Sequence, residues 1–512
     1  MKDQRAEKEK ERGAGGGIRG GSSKGEGRVL FGFIWRNCAA ELKLFVVAAL
    51  LLCCLATILQ FLPATFSLSS CSLCSCLPST AILLADNSPT MPPPSRPSPL
   101  QTDQLLENGT LKRSFNPVGT GAYSFIFMSA YRGGAATFSV IGLASKPLHV
   151  FGHPTYTCEY RTTTNTSTVP GIAILPDWGF GRVYTTVVIT CTFPKDSAAT
   201  DSAGGRLLVF ATASGGFDTQ LNVTDTIEVL VEPANSWNAS QFTDPPKYDY
   251  LYCGSPLYGN LSPQRVREWM AYHVRLFGRR SHFVIYDAGG VHPDVMKVLK
   301  PWMELGYLSL HDIREQERFD GYYHNQFLVV NDCLHRYRFW TKWMFFFDVD
   351  EYIYVDPKSN DSLRSVISLY ETFTQITISQ MLMSSKLCRA EDAHGAPKKW
   401  GLEKLVFRDV TRVTRRNRKY AVQPRNTFAA GVHLSQNIVG SSTYTSGKLI
   451  RYFHYHETIA LRREPCRQLV NGTSITVNGS PYVLDSTMQR VAPIIKEFEL
   501  KTIGTQLQGT QQ

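Results

Sequence analysis

Two acidic residues one position apart, Asp348 and Asp350 in Asp348-Val-Asp350-Glu351, carry the plainest chemistry in this chain. In an extended segment residues i and i+2 point to the same side, with Cα atoms roughly 7 Å apart. Two carboxylates side by side repel unless a cation sits between them. Hard divalent ions that take oxygen ligands, Mn²⁺ or Mg²⁺, suit such a pair. An ion held there can grip a diphosphate and neutralise the charge that develops as it leaves. Taken alone, Asp-x-Asp is more often a strand running into an acidic turn. The residues before it shift that balance: KWMFFF, from Lys342 to Phe347, is apolar without alternation, as in a strand buried on both faces of a parallel sheet. The acids then stand at the carboxyl end of a central strand, where open α/β sheets bind their ligands.

The preceding segments supply the elements such a strand needs. Lys247 to Cys253 reads as a first strand, and Ser262-Pro263 as the cap and first residue of a helix. Val266, Trp269, Met270, His273, Val274 and Phe277 follow at helical spacing until Gly278, which puts His273 in the core. His282 to Asp287 is a second strand, Val295 to Met303 a second helix bent or shortened by Pro301, and Tyr307 to Asp312 a third strand. Tyr323 to Phe339 reads as a third helix. Strand and helix alternating three times before the acidic pair predict a doubly wound α/β domain over residues 246–512.

The amino terminus speaks to compartment. Residues 1–41 are Gly-rich and charged and predict a disordered cytosolic tail. Residues 42–62 hold the uncharged run LFVVAALLLCCLATIL, the length of a membrane-spanning helix. Ten Lys/Arg against six acidic residues precede its end, so the positive-inside rule leaves the rest of the chain across the membrane, a single-pass type II layout. Eight Asn-x-Ser/Thr sequons, from Asn108 to Asn478, and six cysteines from Cys158 to Cys466 all follow the span. Cys158 and Cys191 are alone in their region and can pair; the other four permit three connectivities. Cys71, Cys74 and Cys76 suit inter-chain disulfides or are simple stem cysteines, which leaves a homodimer open. Residues 63–115, rich in Ser and Pro, read as a stem. The formal net charge of +11 favours anionic partners. No nucleic-acid recognition motif accompanies it, and the compartment opposes that class of partner.

Residues 116–233 change character. Short β-branched and aromatic runs separated by Gly, Pro or Ser predict an all-β sandwich. His149 and His153 lie within it without a metal-site pattern. Tyr131, Trp178 and Tyr184 are the aromatic side chains available to stack on sugar rings, which makes the module a candidate carbohydrate-binding unit.

Motifs across the second half are more specific. Tyr258-Gly259, FVIYDAGG ending the second strand, NDCLHRYR, KWMFFFDVDEYIYV, KKWGLEKL, RKYAVQPRN, GVHLSQN and RYFHYHETI together resemble glycosyltransferase family 92, and within it the plant branch that extends galactan. The resemblance implies a GT-A fold, Golgi residence, and inverting transfer from UDP-galactose with Mn²⁺ onto β-1,4-galactan side chains of pectin. By the same resemblance, Tyr258, Asp287, Asp348, Lys419 and Arg425 bind the donor, and Asp348, Asp350 and His454 hold the metal. Inversion needs a general base opposite the leaving group. Ala390-Glu391-Asp392 and Trp400-Gly-Leu-Glu403 resemble two base-bearing elements of related enzymes, so Glu403, Asp392 and Glu391 are the candidates. Seven basic residues lie between Arg408 and Arg425, available to a diphosphate or an acidic polysaccharide. A glycoside hydrolase fits less well, because its two acids flank the sugar from opposite faces. A non-catalytic lectin would make the β module the working part.

Overall fold

The computed structural model describes residues 100–510, apart from 120–122, 146–153, 179–182, 201, 216–217, 320, 357–361, 393–398, 412–417 and 460–465. The stretches read as a cytosolic tail, a membrane span and most of a stem, with Cys71, Cys74, Cys76, His149 and His153, therefore lie outside the described residues. Among the described residues no helix is long and apolar enough to cross a membrane.

The apolar runs of the second half become strands of one large sheet. Leu308–Asp312, Ser281–Asp287, Tyr248–Cys253 and Thr341–Phe346 lie side by side in that order, all parallel. Chain order along the sheet is thus third, second, first, fourth, and the direction of growth reverses between Tyr248–Cys253 and Thr341–Phe346. Beyond this switch point Lys419–Val422 joins antiparallel, followed by Gln375–Leu382, Ile450–His454 and Glu351–Val355.

Both faces of the sheet are buried, which explains runs without alternation. Tyr250, Tyr252, Phe283, Ile285, Trp343 and Phe345 point into one core with the helices Pro263–Phe277 and Pro293–Glu304. Leu251, Val284, Tyr286, Met344 and Phe346 point into the other, against Leu328, Val329 and Leu334 of the helix Gln326–Arg336. The first helix starts where its cap predicts: Arg265 N–H donates to Ser262 Oγ at 3.2 Å, and Gly278 ends it at φ 80°. His273 is fully buried; its Nδ1–H donates to the Trp269 carbonyl, its Nε2 accepts from Ile353 N–H, and burial pushes its pKa down to about 3. The third helix begins three residues later than expected. Tyr323, His324 and Asn325 have φ of 48°, 55° and 56°, a left-handed run no α-helix tolerates. The Asn325 amide fastens that run by donating to Gln316 Oε1 and the Phe319 carbonyl.

Two expectations change in the first half. The segment read as stem is already part of the fold by Gln104: the strand Leu111–Lys112 adds parallel to Leu308–Asp312, and Arg113 is buried. The β module is one eight-stranded antiparallel sheet, from Asn116–Val118 to Asp218–Glu232, in place of two separate sheets. Its first long strand, Phe125–Arg132, meets its last through the Arg132–Glu232 ion pair, so the sheet curls on itself. The alternation of that strand explains why. Phe125 and Phe127 fill the module's own core, whereas Ile126 and Met128 pack with Leu328 and Val329 on the second face of the large sheet. Cys158–Cys191 closes the module as expected; Cys253–Cys333 and Cys388–Cys466 select one of the three open connectivities.

Candidate active site

The loops after the first and fourth parallel strands face each other at the switch point and form one cleft. Ser255 and Tyr258 line it from the first loop, and Asp348, Val349 and Asp350 from the second. Tyr323, His454, His456 and Glu457 line it from flanking segments. Gly254 permits the first loop to leave its strand here, because a Cβ would overlap the Tyr252 hydroxyl and stand 2.6 Å from the Phe347 carbonyl oxygen.

The acidic pair crowns the strand in a turn rather than on one pleat. The strand ends at Phe346, Glu351 N–H donates to the Asp348 carbonyl at 3.1 Å, and Glu351 opens the next strand. Asp348 and Asp350 nevertheless face the same cleft. Lys419 reaches them from the neighbouring antiparallel strand. Its buried ammonium lies 2.6 Å from Asp348 Oδ2 and 3.5 Å from Glu351 Oε2. Burial pushes the Asp348 carboxyl up, but the Lys419 charge overrides this and holds it below the ordinary carboxylate range. Glu351, almost fully enclosed, accepts from the Asp348 N–H at 2.7 Å and so shapes the turn from beneath. Burial pushes its pKa up to about 7 against the pull of Lys419.

His454 sits directly opposite Glu351 in the antiparallel pair Glu351–Val355 with Ile450–His454. Its Nε2 lies 3.5 Å from Asp350 Oδ1, and Gln380 Nε2 meets its Nδ1 at 2.6 Å. Burial lowers its pKa, and the hydrogen bond to Asp350 with the Glu351 charge outweighs that and raises it. Two carboxylates and an imidazole facing one cleft are donors by type for Mn²⁺ or Mg²⁺. As they stand, no three His, Cys, Asp or Glu side chains among the described residues are gathered to hold an ion.

The other expected site residues divide. Tyr258 lines the cleft, donates its hydroxyl to Tyr323 Oη at 2.6 Å, and stacks on His324 at 4.1 Å. Asp287 is spent on its own turn, accepting from Gly289 and Val291 N–H, and does not line the cleft. Arg425 lies at the wrong end. The strand before it, Lys419–Val422, runs antiparallel to Thr341–Phe346, pairing Val422 with Met344, so residues after Val422 travel away from the acids. Its guanidinium donates to carbonyls of Asp244 and Phe339 instead.

Glu403 does not line the cleft either. It caps its own four-residue helix by accepting from Trp400 N–H at 2.7 Å, and it pairs with Lys496 of the carboxyl-terminal helix Thr487–Ile503. The glycine of that motif serves packing: a Cβ on Gly401 would overlap the buried Arg265 guanidinium. Glu391 is exposed and paired with Arg389. Asp392 closes the same short turn, and its side chain lies outside the described residues. Of the basic cluster, Arg408 pairs with Asp485, Arg418 stacks on Tyr444, and Arg412, Arg415 and Arg416 lie outside the described residues. In the β module, Tyr131 and Tyr184 are packed inward and only Trp178 of the three aromatics stands exposed.

Glu351, Gln380, Tyr323 and Glu457 were not singled out from sequence. Glu351 and Glu457 were within reach, since each adjoins a motif that was.

Comparison with known proteins places these residues in context. The profile of glycosyltransferase family 92 matches residues 248–508, which contain every cleft residue named above. A protein of Arabidopsis thaliana described as galactan beta-1,4-galactosyltransferase GALS3 is 54% identical over 498 residues, covering 95% of this chain and 97% of its own. Another, GALS2, is 52% identical and covers 94% of this chain and 98% of its own. A third, GALS1, is 49% identical over 78% of this chain and 80% of its own. The chain belongs to glycosyltransferase family 92.

Proposed function

We propose that this chain extends β-1,4-galactan side chains of pectin by inverting transfer of galactose from UDP-galactose. The observation that carries this reading is the cleft at the switch point. There Tyr258 faces Asp348 and Asp350 in a family member more than half identical to galactan galactosyltransferases. Ligands of open α/β sheets bind at this point, outside the carboxyl ends of the strands.

Each residue then has a task. The Tyr258 ring, braced by Tyr323 and His324, offers a flat apolar wall for the uracil base. Lys419 sets the charge and orientation of Asp348, and Glu351 holds the turn that presents both aspartates. Gln380 fixes the ring orientation of His454. Asp348, Asp350 and His454 are the side chains to hold Mn²⁺, which when bound supplies charge neutralisation to the departing diphosphate. The arrangement is that expected of a GT-A enzyme. We place it in the Golgi lumen behind a single amino-terminal anchor, a setting with which three disulfides agree.

The test is a donor screen on purified protein from residue 93 onward, with Mn²⁺ and galacto-oligosaccharides. The expected result is UDP-galactose as the preferred donor and products lengthened by β-1,4-galactose, with UDP-arabinopyranose, which lacks only C6, as a slower donor. Equal transfer from UDP-glucose, or products that galactan-specific hydrolysis leaves intact, would refute it.

A further inference from the structure

Inverting transfer releases a proton as the acceptor hydroxyl becomes an ether, and a group in the cleft must take it. Glu403 and Glu391 are engaged in structural ion pairs. Among the described residues, the carboxylates lining the cleft are Asp348, Asp350 and Glu457. Lys419 holds the first and His454 lies beside the second. Glu457 differs from both. Its side chain is 68% exposed, and its ion-pair neighbour among the described residues is His456 at 3.7 Å.

The backbone beneath Glu457 is also unusual. Its φ of 63° lies in the left-handed region, a conformation that is strained for a non-glycine residue and persists only where its surroundings over-determine it. They do so here. Tyr455 N–H donates to the Asp350 carbonyl at 3.0 Å, which ties this turn directly to the acidic one. Thr458 donates from Oγ1 to the Tyr455 carbonyl at 2.7 Å, and the buried Arg265 guanidinium donates in turn to Thr458 Oγ1. Ser262 N–H donates to the Ile459 carbonyl at 2.8 Å. The backbone that carries this exposed carboxylate is therefore held on both sides and tied to the Asp350 turn.

We propose that Glu457 is the general base of the transfer. The statement rests on the galactosyltransferase reading above and deepens it. The oxygen of the acceptor galactose 4-hydroxyl attacks C1 of the donor sugar. The bond from C1 to the β-phosphate oxygen breaks, and its electron pair leaves with UDP. The hydroxyl proton passes to the Glu457 carboxylate, which returns it to solvent on its exposed side. One C–O bond forms, one breaks, and the configuration at C1 inverts.

The experiment compares Glu457→Gln, which keeps shape but takes no proton, with Glu457→Asp, in the full-length protein. Expected for Glu457→Gln is a kcat about 10²–10⁴-fold lower, with donor KM, UDP affinity by calorimetry and Tm close to wild type. Glu457→Asp should recover part of the rate. A kcat for Glu457→Gln within threefold of wild type would overturn the assignment, and so would a loss that follows UDP affinity or Tm in both variants. Asp392→Asn, run in parallel, overturns it if that variant alone loses turnover. Wild-type protein inactive with UDP-galactose would instead sink the underlying functional reading.

Discussion

The deepest consequence for stability concerns Asp332, a carboxylate with no exposed surface in the helix Gln326–Arg336. It accepts from Arg113 of the amino-terminal segment at 2.5 and 2.9 Å. It also accepts from Ser129 and Tyr131 of the β module at 2.8 and 2.6 Å, and from Tyr286 of the parallel sheet at 2.7 Å. Three parts of the chain thus converge on one side chain. Asp332→Asn keeps its size and removes its charge, leaving Arg113, whose side chain is also fully enclosed, with Asp103 as its remaining carboxylate. Breaking a buried pair in this way costs about 3–5 kcal/mol. At an unfolding entropy of about 2.1 cal/mol/K per residue over the unit from Pro93 to Gln512, the expected fall in Tm is about 3–6 °C. Differential scanning calorimetry at pH 7 measures it. Removing both partners, in Arg113→Met with Asp332→Leu, should return part of the loss, because the enclosed Arg113 charge goes with its partner while Arg336 and Asp103 keep each other. The pH dependence has a definite sign. Burial pushes Asp332 up, but Arg113 and Arg336 more than offset it and hold it well below the carboxylate range. A depressed folded value contributes stability above the unfolded value near 3.9 and loses it as pH falls toward the folded one. The gap between wild type and Asp332→Asn should therefore stay level from pH 7 to about pH 4 and narrow below. A fall in Tm under about 1 °C, or a double variant no better than the single one, would refute the reasoning.

Three further outcomes are expected. His454→Ala should raise the Mn²⁺ concentration for half-maximal activity about 10–100-fold, and an unchanged titration would remove His454 from the metal site. Tyr323→Phe deletes the 2.6 Å hydroxyl contact with Tyr258; donor KM should rise roughly two- to tenfold at constant kcat, and an unaltered KM would free Tyr258 of its brace. The fragment 100–233 alone should lack a cooperative thermal transition, since Ile126, Met128, Ile141, Leu143 and Val188 lose their cover; a sharp melt by circular dichroism would show the module to be autonomous.

The readable parts of this protein were those set by neighbours in sequence. Ser262, Pro263 and Gly278 bound their helix through contacts within a few residues, and the KWMFFF run announces a doubly buried strand because burial on both faces leaves no polar position. The acidic pair was legible at the end of that strand for the same reason. Partnerships set by a distant segment were not legible in this way. Glu403 has the local look of a catalytic acid until Lys496, 93 residues on, pairs with it. Arg425 follows a strand whose antiparallel direction carries it away from the cleft. Tyr131 reads as a surface aromatic, but Asp332, 201 residues away, draws it inward.

By itself, then, the amino-acid order determined which segments become strands and helices, that the fourth strand ends in a pair of carboxylates, and the family to which they belong. Those properties depend on periodicity, capping and short motifs, all carried within a few turns of chain. The tertiary structure alone decided which charged groups meet: Lys419 with Asp348 and Glu351, His454 with Asp350, and Glu457 at the rim of the same cleft. Electrostatic partnership depends on distance and burial in space, and neither can be counted along the chain.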